Sequence, residues 1–182
     1  MAGLPRKAAF LDRDGVLNRA IVRGGRPYAP TSLDEFEILA DAPAAVRRLR
    51  EAGYLAIVVT NQKDVGRGIV SEALMNRMHE LLLAAMPLDD IVVCTSVNGG
   101  WRYKPGPGML IEAAERWGID LGASVMIGDR WRDVGAGRRA GCRTVFIDRG
   151  YAEMPLLEPD EIARDLGEAA DIVLAGKRAF EV

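Results

Sequence analysis

Ala8-Ala9-Phe10-Leu11-Asp12-Arg13-Asp14-Gly15-Val16-Leu17-Asn18 is the stretch that decides the fold: a short apolar run breaks off into two carboxylates separated by one residue. Consecutive apolar residues bounded by polar ones suit a strand buried on both faces, as in a parallel sheet. In such sheets the carboxyl ends of the strands face the crevice where ligands bind. Placing two carboxylates there costs desolvation and mutual repulsion, which packing alone does not demand. Alternation along an extended backbone lets Asp12 and Asp14 point one way and Arg13 the other. Two like charges that close call for a cation. Taken alone, the same residues also read as an ordinary Asp-Gly turn after a strand.

Outward from this stretch, short apolar runs alternate with helix-like segments, the pattern of a parallel sheet with helices on its faces. Strands are expected at 8–11, 55–59, 91–94, 125–127 and 144–147, with Ile172-Val173-Leu174 as a short last strand. A helix over 42–52 has Pro43 near its first turn and Gly53 after its end. Another over 71–85 puts Leu74, Met78, Leu81, Leu82 and Ala85 on one face, and Leu110, Ala113, Ala114 and Trp117 do the same before Gly118. The Met and Trp residues there read as core, and His79 as surface or packing. The expected architecture is α/β, a Rossmann-like three-layer sandwich with a central parallel sheet. With 182 residues, of which 49% are hydrophobic and 27% charged, the chain reads as one domain, 1–182, whose motif core spans about 8–150.

A net charge of −2 argues against a general nucleic-acid or anionic-membrane binder. No apolar stretch approaches the roughly 20 residues that span a bilayer, and the start lacks a signal-peptide core, so a cytoplasmic location is expected. Cys94 and Cys142 make no disulfide framework.

Polar motifs follow three further apolar runs. Thr60-Asn61-Gln62 ends the second, where a hydroxyl can donate to a bound anion or simply cap a turn. Lys104-Pro105-Gly106-Pro107-Gly108 opens a helix, placing a lysine where anions are favoured, or on a solvated loop. Gly128-Asp129-Arg130-Trp131-Arg132-Asp133 supplies two more carboxylates, with Asp129 alternatively a helix cap. Together, Asp12, Asp14 and Asp129 would gather a hard divalent cation such as Mg2+, and Lys104 and Thr60 would face the remaining phosphate oxygens. One aspartate is then left to attack phosphorus and a second carboxyl to move protons.

In this order the four motifs, over roughly 8–150, resemble the haloacid dehalogenase superfamily of aspartate-nucleophile phosphohydrolases. The resemblance implies that Asp12 is the nucleophile and Asp14 the general acid and base. Mg2+ would be held by Asp12, the Asp14 backbone carbonyl and Asp129, with Asp133 either a ligand or a residue that supports the ligands. Asp14 favours phosphate chemistry over dehalogenation, and the intervals between motifs leave no room for a cap domain. Only the loop 19–30 and the segment 63–68 would cover the site.

Asp-Arg-Asp-Gly-Val-Leu-Asn, Thr-Asn-Gln with Gly66-Arg67-Gly68, and Lys-Pro-Gly-Pro-Gly-Met are similar to the small capless group that contains heptose bisphosphate and histidinol-phosphate phosphatases. Its members carry a zinc loop before the lysine motif. Here the segment from Cys94 to Lys104 keeps one thiol, too few for structural zinc, so none is expected. Arg19, Arg23, Arg26, Lys63, Arg67, Arg102, Arg130 and Arg132 adjoin the motifs. Most arginines of this kind sit on solvated loops, but one or two turned inward would meet a second anionic group. The expected substrate contacts are Asn18, Asn61, Gln62, Lys63, Arg67, Arg102, Lys104 and Arg130. The expected partner is a small phosphorylated metabolite, a sugar bisphosphate by preference, acted on by a monomer or weak homo-oligomer; the rivals are histidinol phosphate as substrate, a catalytically weak binding or regulatory protein of the same fold, and a phosphatase acting on a macromolecular end.

Overall fold

The parallel pairing expected around the 8–11 run is present in the computed structural model, which describes residues 5–153 and 156–176. β1 (Lys7–Leu11) runs between β4 (Tyr54–Asn61) and β6 (Val125–Gly128), and β5 (Asp90–Cys94), β7 (Arg143–Ile147) and β8 (Glu161–Ala163) complete one sheet in the order β5-β4-β1-β6-β7-β8. Every pairing in it is parallel. Helices therefore carry the chain back between strands: α1 (Ala42–Glu51), α3 (Glu72–Ala85), α4 (Gly108–Trp117) and α5 (Trp131–Ala140), with α6 (Leu166–Leu174) after the last strand. Short β2 (Ile21–Arg23) and β3 (Arg26–Tyr28) form a separate antiparallel hairpin, and the one-turn α2 (Lys63–Gly66) follows β4.

Period-two alternation splits the core between two faces. Ala9, Leu11, Ala56 and Val58 pack with Val46 and Leu49 of α1, Leu82 of α3 and Ala170 and Val173 of α6. Phe10, Ile57 and Val59 pack instead with Met109, Leu110 and Ala113 of α4 and Ala136 of α5. The result is a three-layer sandwich with no separate domain between the strands among the described residues. Local chemistry sets the helix ends: the Ser71 hydroxyl accepts from the Leu74 N–H at 3.1 Å, and α4 stops at Gly118 with φ of 64°.

One expected strand is corrected. Ile172-Val173-Leu174 lies in α6, where the Asp165 side chain caps the helix through the Glu168 N–H and only one face, Ala169, Ala170 and Val173, is buried. Among the described residues the last strand is β8, three residues long and paired with β7.

Candidate active site

The carboxyl ends of β1, β4 and β6 and the loop after β5 bring the motifs to one place. Lys104 lies at their centre, 2% exposed, with Nζ 2.8 Å from Asp12 Oδ1 and 2.7 Å from Asp133 Oδ1. Its third donor reaches the Val59 carbonyl at 2.7 Å. Asp12, Asp129 and Asp133 each offer an oxygen, all within 4.8 Å of one another. Two glycines make this approach possible. A Cβ on Gly15, where φ is +85°, would stand 1.8 Å from Asp129 Oδ2, and one on Gly128 would stand 2.2 Å from the Asp133 side chain.

These charges cannot be left to themselves. Burial pushes the Asp12 carboxyl up to about 7, Asp133 adds to the effect, and Lys104 opposes it. Burial raises Asp129 well above the carboxylate range as well, with Asp12 and Asp133 reinforcing the shift. Burial alone would lower the Lys104 ammonium, but Asp12 and Asp133 outweigh it and hold it charged. Tyr151 donates to Asp129 Oδ2 at 2.8 Å, whereas Asp129 Oδ1 is buried without a hydrogen-bond partner. Three carboxylates against one ammonium and an orphaned carboxylate oxygen fit a hard divalent cation with oxygen ligands.

Asp14 belongs to a second network. Its carboxylate lies outside that cluster and accepts from Asn18 Nδ2 at 2.9 Å, Gln62 Nε2 at 2.8 Å and the Arg13 guanidinium at 3.0 Å. The expectation that Arg13 points away from Asp14 is therefore overturned. β1 ends at Leu11 and the chain turns at once, the Arg13 carbonyl accepting from the amides of Val16, Leu17 and Asn18, so strand alternation does not extend to Arg13.

A cavity of about 730 Å³ opens above, with Asp12, Asp14, Lys104 and Asp133 at its floor. The hairpin contributes Arg23, Arg26 and Tyr28 to its rim, and α2 with its C-cap contributes Lys63 and Arg67. Arg130 also lines it, paired with Glu153. Among the expected substrate contacts, Gln62 lines the cavity and braces Thr60 Oγ1 at 2.9 Å. Asn61 lines it too, but its amide clasps the Lys104 backbone, donating to the carbonyl and accepting from the N–H, both at 3.0 Å. Two expected contacts are not brought there. Asn18 is wholly buried against Asp14, and Arg102 turns outward to Glu112 at 2.9 Å. Arg102 leads away because the loop before Lys104 folds back on α4, the Gly108 N–H donating to the Trp101 carbonyl at 2.9 Å. Tyr151, which reaches Asp129, and His79, which reaches Arg13 at 3.3 Å, stand in no motif, and no sequence signal marks them.

The HAD-hydrolase-like family matches residues 102–169. A D-glycero-D-manno-heptose-1,7-bisphosphate 7-phosphatase of Thermosynechococcus vestitus is 34% identical, the alignment covering 92% of this chain and 95% of the relative. A D-glycero-beta-D-manno-heptose-1,7-bisphosphate 7-phosphatase of Rhodopseudomonas palustris is 36% identical over 77% of this chain and 83% of its own. Among solved structures, the D,D-heptose 1,7-bisphosphate phosphatase from B. bronchiseptica complexed with magnesium and phosphate superposes with a TM-score of 0.80 at 29% identity, covering 94% of this chain and 99% of that one.

Proposed function

The chain belongs to the HAD-like phosphatases, and from that premise we propose that it is a Mg2+-dependent hydrolase of a small sugar bisphosphate, D-glycero-D-manno-heptose 1,7-bisphosphate or a close analogue, with Asp12 as nucleophile. The observation that carries the reading is the Asp12, Lys104, Asp129 and Asp133 cluster at the floor of a cavity whose rim is basic.

Mg2+ would be held by Asp12, Asp129 and Asp133 with the Asp14 backbone carbonyl, and when bound it would offset the phosphate charge and orient the phosphate toward Asp12. The Lys104 charge, held against Asp12 and Asp133, would add to that neutralisation. The Thr60 hydroxyl, whose oxygen already accepts from Gln62, keeps its proton for a phosphate oxygen. An Asp12 oxygen forms a bond to phosphorus as the bond to the leaving oxygen breaks, and Asp14 gives that oxygen its proton. Water then attacks the aspartyl-phosphate, Asp14 takes the water's proton, and Asp12 is released with inorganic phosphate. At the rim, Lys63 and Arg67, together with Arg23 and Arg26, would meet the second phosphate.

Phosphate release from a panel of sugar bisphosphates, the matching monophosphates, histidinol phosphate and nucleotides tests the assignment. A heptose 1,7-bisphosphate should give the highest kcat/KM. Preference for histidinol phosphate or for monophosphates would sink the bisphosphate reading.

A further inference from the structure

Arg13 stands between Asp12 and Asp14 in sequence, yet it is 1% exposed and does not line the cavity. Its guanidinium grips Asp14 as a fork, Nε to Oδ1 at 3.1 Å and Nη2 to Oδ1 and Oδ2 at 3.0 and 3.2 Å. Nη2 also donates to Gln62 Oε1 at 3.1 Å, and the Phe36 ring lies 5.9 Å from the guanidinium carbon. On the far side Nη1 is 3.3 Å from Nε2 of His79, a buried residue of α3. A guanidinium has only donors and stays charged at any pH the fold meets, so His79 Nε2 must accept. The ring is therefore neutral with its proton on Nδ1. Burial, with the Arg13 charge, holds His79 down at about 4, which agrees.

We infer that Arg13, fixed from behind by the neutral His79, is the positioning residue that presents the Asp14 carboxyl to the leaving group, an inference that rests on the acid and base role proposed above for Asp14. Asn18 and Gln62 each hold one Asp14 oxygen, whereas the fork alone fixes both and so sets the plane of the carboxyl. Without an acceptor at His79, Arg13 keeps its charge and its contacts with Gln62 and Phe36 but loses the one that holds Nη1 from behind. Proton transfer depends steeply on such placement, since a displacement of roughly 1 Å costs about 100-fold.

A leaving-group comparison separates this role from a structural one. kcat/KM reports events up to departure of the leaving group, so the later activation of water does not enter. p-Nitrophenyl phosphate leaves without help, whereas a sugar phosphate needs its oxygen protonated. H79L should lower kcat/KM for the sugar phosphate by about 10-fold or more and leave that for p-nitrophenyl phosphate near the parent value, and H79Q, which restores an acceptor, should recover it. R13K, which keeps the charge but not the fork, carries the same selective expectation should H79L fail to fold. Equal losses on both substrates, or no loss on either, would overturn the positioning role while a selective loss in D14N left the role of Asp14 standing. A D14N variant that loses both substrates equally would instead remove the general acid, and this inference with it.

Discussion

At the scale of single residues, Lys104 is the balance point of the site. It is the one ammonium among Asp12, Asp133 and Asp129, and its remaining donor is bound to the Val59 carbonyl. Removing one partner of a buried charge cluster typically costs about 3 to 5 kcal/mol, because the charges left behind are uncompensated. Lys104→Met should therefore lose phosphate release and, in chelator, melt well below the parent protein, with added Mg2+ returning part of the difference. Identical melting of variant and parent in chelator would contradict the role given to the lysine. Asp12, Asp14, Asp129, Asp133 and Lys104 were legible in the sequence because each stands at the break of an apolar run or the opening of a helix. Arg13 departs from strand alternation, and His79, which reads as surface or packing, is buried against it. The contact between them joins residues far apart in the chain, and no spacing reports it.

At the scale of elements, two small pieces, the β2–β3 hairpin and α2, supply basic side chains to the rim of the cavity. Arg67, the C-cap of α2, lines the cavity, and its nearest carboxylate, Asp64, is 3.8 Å away, too far to hold it firmly. Arg67→Ala should raise KM for a bisphosphate by about 10- to 100-fold, the worth of one charged hydrogen bond, and alter KM for the matching monophosphate little. Arg102→Ala, whose side chain faces Glu112 instead, should change neither. An equal effect of Arg67→Ala on both substrates, or none on either, would mean that it does not meet the second phosphate. The main strands and helices were legible from period and punctuation. The hairpin was not, since three-residue strands carry too little pattern, and 172–174 misled because an aliphatic run suits a buried helix face as well as a strand.

At the scale of the whole molecule, the crowded carboxylates link stability to pH and metal. Asp12 has its folded-state pKa raised to about 7, and Asp129 moves the same way, so their contribution is present at low pH and is lost as pH rises through those values. His79, lowered to about 4, acts oppositely, weakening the fold as pH falls below its ordinary value of 6.5. Above about pH 6.5 the rest of the His79 titration is outweighed by that of the two carboxylates, so metal-free protein should melt lower at about pH 8 than at about pH 6.5, and Mg2+ should raise the melting temperature more at the higher pH. A Mg2+ shift equal at both pH values would contradict this. The parallel sheet and the placing of its ligand crevice followed from the sequence because buried runs ending in polar groups are the signature of such sheets. The central claim, that Asp12 takes the phosphoryl group, is tested most directly by phosphate release from a heptose 1,7-bisphosphate by the parent protein and Asp12→Asn, each shown to be folded. An amide cannot carry out the attack, so a loss exceeding about 1,000-fold is predicted; turnover by the variant within a few-fold of the parent would contradict it.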